Sequence, residues 1–201
     1  GLAEAIKALP QTKRINIRCR NNDLSLIAEK FPPDYKIAVC ANLPYYITSP
    51  VIMKLLESRL PIESVTVMVQ KEVARRICSP MGGRLSGALT AAVNYYSSPK
   101  QLFTVSAGSF FPAPKVESAV IKLTLHKNPP VEAADEQQFL RLIRTAFNMR
   151  RKTLINSLSG GTQISRETLK DAFAKSNISE TARAEQLTLP DFALLFSNIV
   201  D

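Results

Sequence analysis

The sequence has no tryptophan, one histidine (His126), three cysteines and only seven glycines in 201 residues. A single histidine is too few for a histidine pair at a metal or for a mechanism of the Ser-His-Asp type. Cys19, Cys40 and Cys78 lie far apart and form no C-x-x-C pair, so we expect small buried apolar residues in a reducing cytosol, neither disulfides nor zinc ligands. No apolar run approaches the roughly 18–20 residues of a membrane span, and the first residues lack the pattern of a signal peptide. We therefore expect a cytoplasmic protein with no metal site and no membrane contact.

Charge is distributed unevenly along the chain, whose formal net charge is +9 from 26 lysines and arginines against 17 aspartates and glutamates. Residues 1–128 hold 17 basic and 8 acidic side chains, whereas residues 129–201 hold nine of each, so the whole excess lies in the first region. Such an excess favours an anionic partner, above all nucleic acid, with an ordinary basic soluble protein as the alternative.

The first region predicts strands that alternate with helices. Apolar patterning predicts strands at residues 14–19, 37–41 and 64–69, and helices at residues 2–9, after Ser49 and at residues 71–77. The continuous apolar run at residues 37–41 is typical of a strand buried on both faces of a parallel sheet. We expect Ser49 to cap the next helix, with Pro50 at its first helical position. This order predicts an α/β sheet with crossover connections.

The second half of the chain changes character. It predicts a helix at residues 87–96 and strands at residues 102–106 and 118–125. Pro129 and Pro130 indicate a linker, and three helices follow at residues 136–158, 165–176 and 189–200. We therefore expect two domains, an α/β domain at residues 1–128 and a small helical domain at residues 129–201.

Asn42, Leu43, Pro44 and Tyr45 directly follow a predicted strand, at the position where open α/β sheets bind ligands. The amine of adenine is a poor nucleophile because its lone pair is delocalised into the ring. The Asn42 side-chain oxygen and the Pro44 carbonyl are two acceptors that can hold its hydrogens and turn the lone pair toward an electrophile. Tyr45 can stack on the base, a contact worth roughly 1–3 kcal/mol. A plain proline turn at the end of a strand is the alternative explanation of these residues.

These four residues resemble the signature of adenine-amino methyltransferases that use S-adenosylmethionine. More specifically, the chain resembles the KsgA-type dimethyltransferases of small-subunit ribosomal RNA. Further matching segments cover about residues 36–201 in the order of that family: residues 55–56 (LL), 69–76 (VQKEVARR), 83–86 (GRLS), 110–120 (FFPAPKVESAV), 146–154 (AFNMRRKTL) and 183–187 (RAEQL). One such segment is weak support, whereas several in the same order are strong.

The resemblance implies a Rossmann-like class I methyltransferase sheet, incomplete at its N-terminus, followed by a small all-α C-terminal domain that recognises RNA. It implies an enzyme of ribosome biogenesis that transfers methyl groups from S-adenosylmethionine to the exocyclic amines of two adjacent adenosines in small-subunit rRNA. The implied partner is the immature small ribosomal subunit, and we expect a monomer. Phe110 matches the family's aromatic residue that stacks on the target base opposite Tyr45, so the implied catalytic set is Asn42, Pro44, Tyr45 and Phe110.

The implied cofactor site is only partly present in this sequence. The family begins with a strand that ends in a glycine-rich loop and a second strand that ends in an acidic residue for the cofactor ribose. This chain holds no G-x-G pattern, and its first nine residues match the helix after that second strand. Asp23 matches the acidic residue that accepts from the cofactor's adenine amine, and Asn42 matches a residue between cofactor and substrate. We expect the 201-residue chain to bind S-adenosylmethionine weakly.

Basic residues cluster in the region that the resemblance assigns to RNA. Residues 137–158 hold five basic side chains and no acidic one, and on a single helix Arg141, Arg144, Arg151 and Lys152 would share one face. A face with charges of one sign favours contact with phosphates, because solvated helices usually mix their charges. The predicted RNA-binding residues are Lys71, Arg75, Arg84, Arg141, Arg144, Arg150, Arg151 and Lys152.

Two other functions fit parts of the same sequence. An antibiotic-resistance type of enzyme, which methylates adenine in large-subunit rRNA, shares the signature at residues 42–45 but not the segments at residues 147–154 and 183–187. A non-catalytic RNA-binding factor of ribosome assembly is favoured by the absence of a glycine-rich loop.

Overall fold

The computed structural model describes residues 36–58 and 60–200. These residues form four strands: β1 (Ile37–Asn42), β2 (Ile62–Gln70), β3 (Ser97–Val105) and β4 (Ser118–Leu125). They also form the helices α1 (Thr48–Glu57), α2 (Lys71–Ile77), α3 (Ala88–Tyr96), α4 (Glu136–Asn148), α5 (Leu154–Gly161), α6 (Arg166–Lys175) and α7 (Leu189–Val200). The helix predicted at residues 2–9 and the strand predicted at residues 14–19, together with Cys19 and Asp23, lie outside the described residues.

The described strands form one sheet in the order β1-β2-β4-β3. Strands β1 and β2 are parallel, with Asn42 beside Met68 near their carboxyl ends. Strand β4 is antiparallel to both β2 and β3, so its first residue, Ser118, lies beside Gln70. The parallel pair is connected through α1, which confirms the predicted crossover. One end of the sheet therefore holds the end of β1 and the beginning of β4.

Strand β1 is covered on one face only. Ile37, Val39 and Ala41 pack against the core, while the alternating positions are exposed, Cys40 among them. Successive side chains of a strand point to opposite faces, so a continuous apolar run does not by itself establish that both faces are covered. The prediction that residues 37–41 are buried on both faces is wrong, and so is the expectation that Cys40 is buried. Cys78 is half-buried, and this burial raises the pKa of its thiol.

Helix α1 begins one residue earlier than predicted. A short 3-10 helix at Tyr45–Ile47 leads into it, and its N-cap residue is Ile47, which makes no side-chain cap. The prediction that Ser49 is the N-cap is therefore wrong, and Pro50 occupies the third helical position. The preceding 3-10 turn displaces the cap because it continues directly into the first turn of α1.

Strand β3 is longer than its predicted core at residues 102–106. It begins at Ser97, immediately after α3, and includes Pro99. Because β3 lies at an edge of the described sheet, the missing N–H of Pro99 need not interrupt a ladder on its outer side. The proline therefore obscured the first half of the strand in the sequence pattern.

The residues from Lys36 onward contain two hydrophobic clusters. The first packs one face of β2 and β4 against α1, α2 and α3, and its fully buried members include Ile52, Val65 and Ile121. The second lies among α4, α5, α6 and α7 and also takes in Ala91 and Tyr95 of α3. Helix α3 thus contributes to both clusters. Among the described helices none is long and apolar enough to span a membrane.

The single helix predicted at residues 136–158 is two helices. Helix α4 ends because the backbone at Met149 leaves the helical conformation, with φ −121° and ψ 68°. The Lys152 N–H donates to the Met149 carbonyl at 2.8 Å, which closes the turn. The Leu154 N–H donates to the Ala182 carbonyl at 2.7 Å, so a distant segment holds the first residue of α5 in place. The sequence pattern missed this break because both helices keep apolar residues on their buried faces.

Helices α4 and α5 approach closely where α5 ends. A Cβ atom at Gly161 would overlap the methyl group of Thr145 in α4. A Cβ atom at the neighbouring Gly160 would lie 3.5 Å from the terminal methyl group of Met149, which is ordinary van der Waals contact. The close approach therefore depends on glycine at one of these two positions and not at the other.

Candidate active site

A cavity of about 370 Å³, which we call the Asn42 cavity, lies at the end of the sheet where β1 finishes. Its walls come from the residues that follow β1, from Met68 of β2 and from the loop between β3 and β4. Its volume falls within the usual range of small-ligand pockets. The lining residues are Asn42, Leu43, Pro44, Tyr45, Met68, Phe110, Phe111, Pro112 and Pro114. All four predicted catalytic residues are therefore brought together at one cavity.

Asn42 lines this cavity from a well-anchored stretch of backbone. It is the last residue of β1, and it is exposed. Leu43, which follows it, is only 9% exposed and belongs to the core under the sheet. The buried leucine fixes the backbone directly behind the amide. Asn42 therefore offers one carbonyl acceptor and an NH₂ donor group at the carboxyl end of a strand.

The Pro44 carbonyl is already engaged in hydrogen bonds. It accepts from the Ile47 N–H at 3.1 Å, which closes the 3-10 turn, and from the Thr48 hydroxyl at 3.3 Å. A carbonyl oxygen has two lone pairs. For Pro44 to accept a hydrogen from a substrate amine, the longer of these two bonds must give way, which requires only that the Thr48 hydroxyl rotates.

Tyr45 is held from the far side of the sheet. Its hydroxyl oxygen lies 2.6 Å from the hydroxyl oxygen of Ser118, and the two groups share a hydrogen bond. Ser118 is 0% exposed at the start of β4. Because the tyrosine hydroxyl is used in this contact, the face of the ring is the part of Tyr45 that is suited to a ligand. Sequence reasoning did not identify Ser118, although it lies inside the matching segment at residues 110–120.

The loop between β3 and β4 contributes two phenylalanine rings to the cavity. Phe110 follows a 3-10 helix at Ala107–Ser109, to which its own N–H donates at the Ala107 carbonyl, 3.3 Å away. It is half-buried, whereas Phe111 is fully exposed and the peptide bond between Phe111 and Pro112 is cis. The loop thus places one ring in the wall and one at the mouth.

The cavity lining contains no carboxylate, imidazole or lysine. It therefore supplies no strong general base, and its polar groups are an amide, a phenol and backbone carbonyls. Among the described residues, no three His, Cys, Asp or Glu side chains are grouped so that they could hold a metal ion. The arrangement can orient a flat aromatic ligand and accept hydrogen bonds from an amine.

Several predicted RNA-binding residues lie near the same end of the sheet. Lys71 begins α2 directly after β2 and forms an ion pair of 2.6 Å with Glu117, the residue before β4. Arg75 lies one turn further along α2 and is exposed. Since Glu117 already neutralises Lys71 in part, Arg75 is the freer of the two charges for a phosphate.

The basic residues of α4 are exposed but not equivalent. Arg141 and Arg144 both lie on the outer surface of the helix. Arg144 forms an ion pair with Glu57 at the end of α1. Among the two, Arg144 must give up a protein carboxylate before it can bind a phosphate.

Arg150, Arg151 and Lys152 lie in the turn between α4 and α5 and not on a helix; we call them the basic turn. All three are exposed. The predicted helix face that combined Arg151 and Lys152 with Arg141 and Arg144 is therefore wrong. The Arg150 guanidinium donates to the Arg84 carbonyl at 3.3 Å, so the basic turn meets the segment at residues 83–86 instead.

A second cavity of about 510 Å³ adjoins this contact. Arg84 and Arg183 both line it, together with Glu185. Arg183 was not among the predicted RNA-binding residues, although it lies in the matching segment at residues 183–187. The structure thus brings together two of the matching segments that are about a hundred residues apart in the chain.

Comparison with known proteins adds to this geometry. Residues 8–201 match the family described as Ribosomal RNA adenine dimethylase. A protein of Alkaliphilus oremlandii named Ribosomal RNA small subunit methyltransferase A is 44% identical over 200 residues, which cover 98% of this chain and 69% of that protein. A protein of the same name from Lachnoclostridium phytofermentans is 45% identical, over 89% of this chain and 62% of its own length. The chain spans about two thirds of the length of these relatives.

Two solved structures have a similar fold. The 23S rRNA methyltransferase ErmE matches with a TM-score of 0.62 and 24% identity, over 85% of this chain and 68% of its own. A dimethyladenosine transferase from Plasmodium falciparum matches with a TM-score of 0.66 and 25% identity, over 83% of this chain and 67% of its own. These likenesses confirm the Rossmann-like α/β fold expected from the sequence.

Proposed function

Because the chain belongs to the ribosomal RNA adenine dimethylase family, we propose that it transfers methyl groups from S-adenosylmethionine to the exocyclic amines of two adjacent adenosines in small-subunit rRNA. Enzymes of this family depend on S-adenosylmethionine. The observation that carries the proposal is the Asn42 cavity, where an amide, a proline-fixed turn and two aromatic rings from separate segments meet at the carboxyl end of β1. No other chemistry fits that set of side chains as well.

The residues of the cavity would activate the target amine by orienting it. When bound, S-adenosylmethionine supplies a methyl group on a positively charged sulfur, a good leaving group. The Asn42 side-chain oxygen accepts one hydrogen of the amine, and the Pro44 carbonyl accepts the other once the Thr48 hydroxyl rotates away. This grip favours a tetrahedral nitrogen whose lone pair is directed at the methyl carbon. The gain is one of geometry, which contributes most when the reacting atoms are held in line.

Proton balance agrees with a lining that has no base. The amine nitrogen forms a bond to carbon as the carbon–sulfur bond breaks, and the nitrogen briefly carries a positive charge. A methylated adenine amine in that state is a strong acid and loses its proton to water. No carboxylate or imidazole is needed, and none lines the cavity.

Tyr45 and Phe110 would hold the adenine by stacking. Both rings line the cavity, and each can cover one face of a flat base. A base–aromatic stack contributes roughly 1–3 kcal/mol. The target adenosines must be unpaired or flipped out of their stack to enter.

The described residues fit the reacting end of the cofactor and not its whole length. Asn42 lies where cofactor and substrate would meet, while Asp23, the proposed partner of the cofactor's adenine amine, lies outside the described residues. We expect the 201-residue chain to bind S-adenosylmethionine with a dissociation constant in the millimolar range or weaker, because ~1 mM already requires about −4 kcal/mol. Calorimetry on a chain whose mass has been verified checks this, and micromolar affinity would contradict it.

The exposed basic residues would bind the phosphates of the rRNA. The basic turn, Arg84 and Arg141 are exposed, and residues 129–201 would form a helical RNA-recognition domain after the methyltransferase domain at residues 1–128. An immature small ribosomal subunit as substrate would place the protein in the cytoplasm.

Relatives named for the small subunit are 44% and 45% identical to this chain, whereas the large-subunit enzyme is 24% identical. This difference favours small-subunit rRNA over the antibiotic-resistance type of substrate. The test is to offer the protein, at its full encoded length, immature small subunits and large subunits separately with labelled S-adenosylmethionine. We expect dimethyladenosine in digests of the small-subunit RNA only. Labelling of the large subunit alone would overturn the substrate assignment, and no labelling of either would favour an assembly factor without catalytic activity.

A further inference from the structure

Ser118 adjoins the Asn42 cavity, and the mechanism above assigns it no role. Its hydroxyl oxygen lies 2.6 Å from that of Tyr45, a short distance even for two hydroxyl groups. Ser118 is 0% exposed, and a buried hydroxyl needs a hydrogen-bond partner, which Tyr45 provides. The contact joins residues 73 positions apart in the sequence.

We infer that Ser118 is a positioning residue for methyl transfer, which fixes the ring of Tyr45 in the orientation that stacks on the target adenine. The inference rests on the proposed function, since it deepens the role of Tyr45 in that site. It adds a buried residue to a set that otherwise comes only from the cavity lining.

Ser118 is suited to this role because its own position is rigid. It is the first residue of β4, a strand with a hydrogen-bonded neighbour on each side. Ser118 pairs with Gln70 of β2 and with Val105 of β3. The residue before it, Glu117, accepts the Lys71 N–H at 3.0 Å through its backbone carbonyl. The serine is thus a fixed point against which a mobile ring can be oriented.

Tyr45 needs such a fixed point because its backbone alone does not define the plane of its ring. The 3-10 turn closed by the bond from the Ile47 N–H to the Pro44 carbonyl fixes the backbone of Tyr45. Rotation about the side-chain bonds is then limited by the hydroxyl at the far end of the ring. Stacking requires the ring to lie flat against the base, and small misplacements of a reacting group can lower the rate about a hundredfold.

The hydroxyl contact also predicts how variants combine. Tyr45→Phe keeps the ring and removes the hydroxyl, and Ser118→Ala removes the partner of that hydroxyl. Both variants therefore remove the same hydrogen bond. If the bond is what orients the ring, the two effects must not add.

The experiment measures kcat and KM for immature small subunits with Ser118→Ala, Tyr45→Phe and the double variant, in the protein at its full encoded length. We expect each single variant to lower kcat about 5- to 30-fold, as loss of one partly buried hydrogen bond implies. The KM for RNA should change less than about twofold, because ring orientation matters in the transition state more than in docking. The double variant should be no slower than the slower single variant. Ser118→Thr, which keeps a hydroxyl, should recover most of the rate.

Ser97→Ala is the matched control. Ser97 is 1% exposed at the first residue of β3, and its hydroxyl donates to the Val93 carbonyl at 2.9 Å. It pairs with Leu125, at the opposite end of β4 from Ser118. We expect Ser97→Ala to lower the melting temperature about as much as Ser118→Ala does and to leave kcat unchanged.

Three outcomes would overturn the inference. These are a kcat of folded Ser118→Ala within about twofold of the parent, additive effects of the two single variants, or an equal loss of kcat in Ser97→Ala. Failure of the proposed function is a separate result, because the unaltered protein would then not methylate small-subunit RNA at all. If Ser118→Ala fails to fold, Tyr45→Phe alone decides, since it removes the same bond at a half-buried position.

Discussion

The Asn42 cavity and the basic surface of the helical region are built in opposite ways. Three segments of the chain place nine side chains around one volume of about 370 Å³. The basic residues, by contrast, are exposed and dispersed over α2, α4, the basic turn and the loop at residues 83–86. Two of them, Lys71 and Arg144, already pair with carboxylates.

This difference separates two kinds of energetic dependence. Side chains that converge on one reacting nitrogen act as a unit, so loss of one should lower the rate steeply. Charges spread over a surface each neutralise about one phosphate, so their loss should weaken RNA binding in small and similar steps.

The largest expected effect comes from Asn42→Ala. Loss of the amide removes an acceptor that acts mainly in the transition state, so we expect kcat to fall about 100- to 1,000-fold, as for other preorganised polar groups at reacting centres. Affinity for RNA should stay close to that of the parent, because Asn42 is exposed and is not part of the basic surface. Labelled methyl transfer and a filter-binding titration measure the two quantities. Near-normal turnover would remove the Asn42 cavity from the chemistry.

Replacement of the basic turn by alanine should act on affinity and not on kcat. Arg150, Arg151 and Lys152 lie in an exposed turn, so the triple variant should flatten the log–log salt dependence of RNA binding by about two to three, at ~0.7–0.9 per phosphate. A matched triple variant on α6, Arg166→Ala with Lys170→Ala and Lys175→Ala, removes the same charge where basic and acidic residues alternate. That control should change the slope by less than about one. Equal slopes for both triple variants would mean that RNA responds to net charge and not to the basic turn.

The geometry of the basic turn should depend on Gly161 and not on Gly160. Gly161→Ala places a methyl group where Thr145 lies, so we expect it to destabilise the protein by roughly 1–3 kcal/mol. Gly160→Ala meets only the end of a flexible methionine side chain and should be neutral or slightly stabilising. Chemical denaturation of both variants checks this. Equal stability of the two would show that α4 and α5 can separate without loss.

The smallest expected effect comes from Glu57→Gln. This change releases Arg144 from its ion pair, and the freed guanidinium should steepen the salt dependence of RNA binding by about 0.7–0.9. Glu63→Gln is the control, because Glu63 also pairs with a basic residue, Lys36 at 3.0 Å, at the opposite end of the sheet. It removes the same charge and should leave the slope unchanged. A steeper slope in both variants would assign the effect to net charge.

The sequence predicted the local parts of the site and missed those that depend on distant segments. Asn42 to Tyr45 could be placed at a strand end because an apolar run directly precedes them. The hydrogen bond between Tyr45 and Ser118 crosses 73 positions, and no periodicity within a window of the chain reports it. The break at Met149 was missed for a related reason, since the carbonyl that holds the first residue of α5 belongs to Ala182.

Burial of β1 was misjudged because composition does not report which layers cover a strand. The run at residues 37–41 is apolar throughout, yet the face that includes Cys40 is exposed while Val39 contacts the core. The predicted role of Pro44 likewise took no account of hydrogen bonds within the turn, since the Thr48 hydroxyl becomes its neighbour only once α1 has formed.

The place of β4 in the sheet has a consequence for how the chain is synthesised. β4 lies between β2 and β3 although it is the last described strand to leave the ribosome. Translation at about 5–20 residues per second needs about 4–15 s to proceed from Tyr45 to Ser118, a separation of 73 residues. During that interval β2 has no partner on the side that β4 will take, and Tyr45 has no hydroxyl to orient it. The target-binding ring is therefore completed late in synthesis, by a residue that the nascent chain acquires only with its final strand.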